Sequence, residues 1–208
     1  FFTHASVGEN LLQGIMELNN ADSMKYPLLL TAVKSTSTVS TSPGHIYHYM
    51  RGNPGWTEKI RIFQESIDNG WHDPVVEIVM NKFCYIDPAA NWETYINSMA
   101  AMEARYKGTK FIYWTIPITT DKNTDAVRRA QFNQNLRNWI AGNNNKILFD
   151  IADIEAWSPE GQFQSFSEKG STYERMYSGY TNDGGHLNSA GRQRAATGFY
   201  SLIGKIVT

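Results

Sequence analysis

Near the carboxyl end of the chain, two polar side chains have a spacing that could support acid–base chemistry. Asp183 precedes His186 by three residues, in a glycine-rich stretch just before a predicted helix. A carboxylate in this position can orient an imidazole, fix its tautomer and stabilise the imidazolium that forms when the histidine accepts a proton. The same short pattern also occurs in exposed turns whose side chains are only solvated. A nucleophile elsewhere in the chain is needed to choose between these interpretations.

A serine near the amino end is a candidate for that nucleophile. Ser6 lies between a short apolar strand and a helix whose apolar residues begin at Leu11. The amide N–H groups at the start of a helix favour developing negative charge, which suits a serine that attacks a carbonyl. Serine is also one of the commonest helix N-caps. Taken alone, Ser6 is therefore compatible with either role.

Together, the two segments make the chain similar to the SGNH (GDSL-type) hydrolases, and the resemblance extends over nearly the whole chain. In that family the nucleophilic serine follows the first strand, and an Asp-x-x-His precedes the last helix. The resemblance implies that Ser6 is the nucleophile, His186 the general base and Asp183 the acid that orients it. It also implies an ester hydrolase that works through an acyl-enzyme and needs no cofactor and no metal.

The resemblance further implies an oxyanion hole built from three donors. The backbone N–H of Ser6 is the first. Residues 51–57 resemble the family's second block, in which Gly55 is the implied backbone donor and Gly52 the reserve. The side-chain amide of Asn81, which follows an apolar strand, is the implied third donor.

In two places the sequence departs from the family pattern. His4-Ala5-Ser6 stands where the family usually has Gly-Asp-Ser, so the chain would be a divergent member. The third block usually ends a strand with Gly-x-Asn-Asp, whereas here Asn81 is the only amide at that edge, about two positions early. Loss of an oxyanion donor typically costs ~10²–10³ in turnover, so the identity of the third donor matters.

Apolar segments alternate between strand and helix patterns along the chain. The predicted strands are the residues before Ser6 and residues 26–33, 75–80, 110–116 and 147–150, and the predicted helices are those that begin near residue 7 and at 56–68, 88–107, 124–140 (capped by Thr124) and 189–206. This alternation predicts an α/β fold of three layers (α/β/α), with a mostly parallel five-stranded sheet as in flavodoxin-like SGNH hydrolases. We expect residues 1–208 to form one domain. Ligands of such sheets bind beyond the carboxyl ends of the strands.

Several other polar residues have less specific patterns. His45 and His48 could be two metal ligands, but no third ligand accompanies them, and their tyrosine neighbours favour an aromatic loop wall. Cys84 as a nucleophile would need a depressed pKa and a neighbouring base, so a buried apolar role is favoured. Asp150 and Asp153 could compete with Asp183, although the resemblance favours Asp183 and leaves them as helix or loop caps.

Three residues are predicted to contact a substrate. His4 lies two positions before Ser6 and shares its side of an extended strand, so it could touch the site or only shape the turn. Trp56 belongs to the second block. Tyr180 belongs to an aromatic-rich stretch, residues 157–180, whose rings could form a substrate wall or simply anchor a long loop.

Composition excludes some classes of function. The chain has 19 basic and 20 acidic residues and a net charge of −1, without the basic patch that nucleic-acid binding requires. No apolar stretch approaches the roughly 20 residues of a membrane span. No phosphate-binding glycine motif follows a predicted strand, so no nucleotide cofactor is expected. The polar, weakly charged composition leans toward a secreted or periplasmic protein, and the expected partner is a small-molecule, lipid or carbohydrate ester.

Two alternative functions remain open at this point. The same three residues could transfer an acyl group to a sugar hydroxyl, if water were partly excluded. The absent Gly-Asp-Ser and the displaced asparagine would instead suit a non-catalytic carbohydrate-binding domain on a similar scaffold. Retention of Ser6, Asp183 and His186 favours an enzyme.

Overall fold

The computed structural model describes residues 1–207, in which strands and helices alternate. The elements are β1 (Phe2–His4), α1 (Val7–Ala21), β2 (Leu29–Val33), β3 (His45–Met50), α2 (Trp56–Asp68), β4 (Ile78–Asn81), α3 (Trp92–Arg105), β5 (Lys110–Trp114), α4 (Thr124–Ala141), β6 (Ile147–Phe149), α5 (Ile151–Ala156), β7 (Ser165–Glu168), β8 (Ser171–Glu174) and α6 (Ser189–Val207).

The central sheet of residues 1–207 has six strands in the order β2-β3-β1-β4-β5-β6, and its neighbouring strands are parallel. The chain leaves β1 toward β2 and β3 on one side and returns to its other side with β4. Such a reversal opens a crevice at the carboxyl ends of the strands. Ser6 follows β1 directly, so it lies at this edge near the middle of the sheet.

Helices cover both faces of the sheet, as the strand sequences require. In β5, Phe111 and Tyr113 point into the core beneath α2, α3 and α4, whereas Ile112 and Trp114 point into the core beneath α1, α5 and α6. Successive strand residues face opposite sides, so a strand buried on both faces is apolar throughout. The predicted three-layer α/β/α fold is therefore confirmed.

The prediction of five strands is wrong, because residues 45–50 form the additional strand β3 in the described chain. This segment was predicted to be a loop with two histidines in its wall. Ile46 and Tyr47 are buried there, and the histidines are satisfied inside the sheet: His48 bonds His4 at 2.9 Å and His45 bonds Thr31 at 2.9 Å. Polar residues are tolerated in this strand because tertiary hydrogen bonds satisfy them.

Two helix starts differ from prediction for the same local reason. The α3 helix begins at Trp92 rather than at residue 88, because the Asn91 side chain accepts a hydrogen bond from Thr94 N at 2.8 Å and caps it there. The cap of α4 is Asn123 rather than Thr124. Asparagine is among the strongest N-caps, since its oxygen satisfies an otherwise unpaired N–H of the first turn.

The first and last helices are packed closely together. A Cβ on Gly14 of α1 would lie 2.3 Å from the backbone oxygen of Arg192 in α6. Glycine therefore lets the two backbones approach each other, and the approach brings the start of α6 near the start of α1. No helix within residues 1–207 has the length and apolar character needed to cross a membrane.

Candidate active site

Ser6 occupies the sharp turn that connects β1 to α1. Its φ is 54° and its ψ is −116°, a conformation that favours glycine and is uncommon for serine. Ser6 is the N-cap residue of α1, and its backbone oxygen accepts the helical hydrogen bond from Asn10 N at 3.1 Å. Within the described chain, however, the Ser6 side chain makes no capping hydrogen bond. The hydroxyl is therefore not used as the cap that the alternative interpretation expected, and the strained backbone holds it at the sheet edge.

Asp183 and His186 form a compact turn organised by the carboxylate. Asp183 Oδ1 accepts hydrogen bonds from the backbone N–H groups of Gly185 at 2.9 Å and His186 at 2.8 Å. Asp183 Oδ2 lies 2.7 Å from His186 Nδ1. The Asp-x-x-His spacing thus lets one carboxylate fix both the backbone and the ring of the histidine. With Nδ1 donating to the carboxylate, Nε2 is left as the basic nitrogen.

The electrostatics of this turn keep the carboxylate ionised. The hydrogen bond from Gly185 N, together with those from the His186 ring and backbone, holds the pKa of Asp183 well below its usual range. Hydrogen bonds to the charged form of an acid lower its pKa in this way. Asp183 is consequently a negative charge beside the imidazole at neutral pH, where it can pair with an imidazolium that forms during a reaction.

Two hydrogen bonds connect the histidine turn to other parts of the fold. Leu187 N, next to His186, donates to the Asn10 side chain at 3.0 Å, one helical turn after Ser6. Thr120 N donates to Gly184 O at 2.9 Å. The two ends of the chain are therefore held in a fixed relationship at the carboxyl edge of the sheet. Asn10 was not identified from the sequence, because nothing local distinguishes it from other polar residues of α1.

The Tyr85 hydroxyl contacts the imidazole ring of His186. Its hydroxyl oxygen is 3.3 Å from both ring nitrogens of His186, and the ring of Tyr85 meets the imidazole edge-on at 5.4 Å. Within residues 1–207, the hydrogen bonds of the His186 ring go to Asp183 and Tyr85, and none goes to Ser6 directly. Sequence analysis missed Tyr85, although its position shortly after β4 places it at the same edge.

The proposed oxyanion donors have different environments. Gly55 is exposed at the N-cap of α2, and no atom lies within 4 Å of where its Cβ would be. Asn81 is only 1% exposed, and its side-chain oxygen accepts from Thr3 at 2.9 Å and from Arg51 at 3.5 Å. Its NH₂ group is the part that remains available for donation. The reserve residue Gly52 has a φ of 73° and open space around it.

A buried polar network lies beside the nucleophile turn. The Cys84 thiol donates to the Asn53 side-chain oxygen at 2.8 Å, lies 3.8 Å from Ala5 O and receives a hydrogen bond from Lys82 Nζ at 3.2 Å. Lys82 is fully buried, and burial lowers its pKa. Asn53 is exposed and lies in the second block, two residues before Gly55. Sequence analysis did not single out Asn53 or Lys82, because their partners are distant in sequence.

With this geometry established, solved structures offer a comparison. The chain aligns over its full length with a candidate acylhydrolase from Bacteroides fragilis, with 86% of that chain covered, a TM-score of 0.62 and 14% identity. A GDSL-like lipase from Bacteroides thetaiotaomicron aligns with 99% of this chain and 87% of its own, with a TM-score of 0.62 and 12% identity. The chain has the SGNH (GDSL-type) hydrolase fold. The predicted family resemblance is thus confirmed at the level of the fold.

A third solved structure, with a lower TM-score, is consistent with the same fold. A candidate platelet activating factor from Streptococcus pneumoniae aligns with 94% of this chain and 92% of its own, with a TM-score of 0.51 and 12% identity. No protein-family profile matches the sequence. No curated protein matches it either.

Within the SGNH fold, the residues predicted to contact a substrate lie in different surroundings. His4 is fully buried and bonds His48, and burial, reinforced by the charges of His48 and Lys82, lowers the pKa of His4 to about 2. Trp56 is half-buried and meets Phe83 edge-on at 6.3 Å. Tyr180 is 2% exposed and donates to Trp157 O at 2.9 Å. Their contact with a substrate stays a prediction.

The competing residues have structural partners. Asp150 caps α5 by accepting from Asp153 N and also binds Arg137 at 2.6 Å, and Asp153 accepts from the Trp157 indole at 3.0 Å. Cys84 is fully buried. In residues 1–207, no group of three or more histidine, cysteine or acidic side chains is arranged to hold a metal ion.

Proposed function

We propose that this chain is a serine ester hydrolase that works without a cofactor. The observation that carries the proposal is the 2.7 Å hydrogen bond from His186 Nδ1 to Asp183, in a turn that the 3.0 Å bond from Leu187 N to Asn10 ties to the helix following Ser6. These groups stand at the edge of an SGNH fold where a strained serine begins the first helix. The names of the structural neighbours, an acylhydrolase and a GDSL-like lipase, support the same class of reaction.

In the proposed mechanism, Ser6 Oγ attacks the ester carbonyl while its proton passes to His186 Nε2. The Asp183 carboxylate stabilises the imidazolium, which then protonates the leaving alcohol as the acyl-enzyme forms. Water enters, gives its proton to the same histidine and releases the acid. The roles follow from the tautomer that Asp183 selects by accepting from Nδ1.

The developing oxyanion needs preorganised donors close to Ser6. The backbone N–H of Ser6 and that of Gly55 are proposed as two of them, and the Asn81 amide as the third. Exposure of Gly55 supports its role, because a substrate can approach its N–H without meeting a Cβ. The hydrogen bonds of the Asn81 oxygen to Thr3 and Arg51 support an orientation in which the NH₂ group is the free end.

The proposal is tested by hydrolysis of p-nitrophenyl esters of graded chain length and of acetylated oligosaccharides. We expect turnover of at least one ester, and loss of nearly all of it in both Ser6→Ala and His186→Ala. Ser201→Ala, an exposed serine on α6, is the matched control and should keep full activity. Circular dichroism of each variant checks the fold. Wild-type turnover in Ser6→Ala would overturn the proposal, and transfer of the acyl group to an added sugar in preference to water would identify a transferase instead.

A further inference from the structure

Arg51 lies among the chain segments that carry the proposed oxyanion donors. We infer that Arg51 is a positioning residue whose guanidinium orients the Asn81 amide, so that the NH₂ group is presented to the oxyanion. The inference rests on the proposed function, because an oxyanion forms only if Ser6 attacks an ester. It starts from the place of Arg51 in the fold, directly after β3 and only 8% exposed.

The hydrogen bonds of Arg51 join the carboxyl ends of three neighbouring strands, β3, β1 and β4. Its backbone N–H donates to His4 O at 3.1 Å, at the end of β1 and two residues before the nucleophile. In the side chain, Nη2 donates to Lys82 O, directly after β4, and Nη1 donates to Gly52 O at 3.2 Å in the second block. One arginine thus ties the second block to the strand end that carries Asn81.

The contact with Arg51 decides which way the Asn81 amide faces. Asn81 Oδ1 lies 3.5 Å from Arg51 Nη2 and 2.9 Å from the Thr3 hydroxyl. A hydroxyl can donate or accept, so Thr3 could be satisfied by either end of the amide, whereas a guanidinium can only donate. An NH₂ group turned toward Arg51 would place two donors together. The amide oxygen therefore faces Arg51, and the NH₂ group is left for another acceptor.

The guanidinium is buried without a carboxylate partner. Within residues 1–207, Arg51 forms no ion pair, and its Nε has no hydrogen-bond partner. Burial lowers the pKa of Arg51 to about 10, so the group is still charged at neutral pH. An uncompensated buried charge is costly to a fold. Its presence beside the proposed oxyanion donors indicates a role in the site rather than in stability alone.

The cation also makes the amide a stronger donor. Hydrogen bonds in a chain polarise one another, here from the Arg51 guanidinium through the Asn81 carbonyl to its NH₂ group. Without Arg51, the amide donates more weakly and is free to turn its oxygen toward the oxyanion, which that oxygen repels. Loss of one oxyanion donor costs ~10²–10³ in turnover, and this sets the upper limit of what Arg51 can contribute through Asn81.

The test is a double-mutant cycle between Arg51 and Asn81 on the best p-nitrophenyl ester. In the otherwise wild-type chain, we expect Arg51→Met to lower kcat by at least ~10-fold, with KM changed by less than about threefold. In the Asn81→Ala chain the same substitution should lower kcat by less than about twofold, because no amide is left to orient. Arg192→Met removes the hydrogen bonds of a half-buried arginine to Glu17, and as the matched control it should keep the wild-type kcat.

Two results of the cycle overturn the inference. One is a kcat of Arg51→Met within about twofold of wild type, and the other is an equal loss in both backgrounds, which would show that Arg51 acts independently of Asn81. Urea denaturation of each variant gives the folded fraction, to which every kcat is corrected. A purely structural role for Arg51 would lower the stability of both backgrounds alike and leave no coupling in the corrected kcat.

Two milder variants keep the inference testable if Arg51→Met does not fold. Arg51→Lys retains a cation that can only donate, whereas the amide of Arg51→Gln can accept from the Asn81 NH₂ group and so allows the wrong orientation. We expect a higher kcat in Arg51→Lys than in Arg51→Gln, and an equal or reversed order overturns the inference.

The outcomes also separate this inference from the proposed function. If Ser6→Ala is inactive while Arg51→Met is fully active, Arg51 has no positioning role and the hydrolase stands. If Ser6→Ala keeps its activity, both proposals fail.

Discussion

Asn10 and Leu187 join the two ends of the candidate site, because the Asn10 side chain accepts a hydrogen bond from the backbone of Leu187 at 3.0 Å. Asn10 lies one helical turn after Ser6, and Leu187 is next to His186. This bond therefore fixes the nucleophile turn relative to the histidine turn. Catalysis is sensitive to displacements of about 1 Å, which can cost ~10²-fold.

We expect Asn10→Ala to lower kcat by about tenfold or more without removing any group of the proposed mechanism. The unpaired Leu187 N–H should also lower the free energy of unfolding by about 1–3 kcal/mol. Steady-state kinetics and urea denaturation measure the two effects. Gln13→Ala, a half-buried polar residue of the same helix, is the control. Unchanged kcat in Asn10→Ala would show that the two turns hold their positions without this bond.

Replacement of the acid should change the tautomer of the base. In Asp183→Asn an amide replaces the carboxylate that accepts from Nδ1, so we expect a large loss of kcat, no greater than that of His186→Ala. Asp153→Asn makes the same chemical change in the acid that accepts a hydrogen bond from the Trp157 indole, and it should keep its activity. If Asp153→Asn were inactive while Asp183→Asn stayed active, Asp153 rather than Asp183 would be the acid that orients His186.

The strained backbone of Ser6 predicts opposite effects on stability and activity. A residue at φ 54° and ψ −116° is in a region favoured by glycine, so Ser6→Gly should raise the free energy of unfolding by about 1 kcal/mol relative to Ser6→Ala. Both variants should be inactive. Denaturant unfolding and ester hydrolysis are the two measurements. If the two variants were equally stable, the turn would not be strained in solution.

Substitution of Gly55 by proline can remove its backbone N–H, the proposed oxyanion donor, without changing another side chain. Its φ is −54°, which proline can adopt, and no hydrogen bond engages Gly55 N within the described residues. We expect Gly55→Pro to lower turnover by ~10²-fold, because it removes only the proposed oxyanion donor. Gly55→Ala keeps the N–H and meets no neighbouring atom, so it should stay active. Equal activity of the two variants would remove Gly55 from the oxyanion hole.

The same logic tests the side-chain donor. Asn81→Ala should lower turnover by ~10²-fold or more, but it also removes the acceptor for Thr3. Thr3→Val breaks that hydrogen bond and leaves the Asn81 amide in place, so it is the matched control and should stay active. Asn53→Ala gives the alternative, since the Asn53 amide lies in the second block beside Cys84. If turnover fell more in Asn53→Ala than in Asn81→Ala, the third oxyanion donor would be Asn53 rather than Asn81.

A buried acid in the core predicts how stability changes with pH. Glu155 is 1% exposed and accepts from Ile118 N at 2.7 Å, and burial raises its pKa to about 8 from an ordinary value of 4.5. As the pH rises, the unfolded chain loses this proton before the folded chain does. The free energy of unfolding therefore falls between about pH 4.5 and about pH 8 and stays level above that. Glu155→Gln should remove this fall, whereas the exposed Glu160→Gln should not. Parallel pH–stability curves for wild type and Glu155→Gln would contradict the assignment.

Local patterns predicted much of the fold and the candidate site. The strand–turn–helix at Ser6 and the spacing of Asp183 and His186 are encoded within a few residues each, which is why the sequence alone indicated them. Tyr85 could not be selected in this way, since its partner His186 is 101 residues away in sequence. Strand β3 was missed because its polar and aromatic residues favoured a loop wall, and the hydrogen bonds of its histidines to His4 and Thr31 join residues distant in sequence.

Covalent labelling tests the central claim most directly, because it does not require the natural ester to be known. A fluorophosphonate reacts with a serine that is activated by a base and forms a stable adduct. We predict that incubation adds one phosphonyl group to the wild-type chain, that peptide mapping by mass spectrometry places it on Ser6, and that His186→Ala reacts at least ~10²-fold more slowly. An unlabelled Ser6 in folded protein, or a label on another residue that persists in Ser6→Ala, would contradict the account.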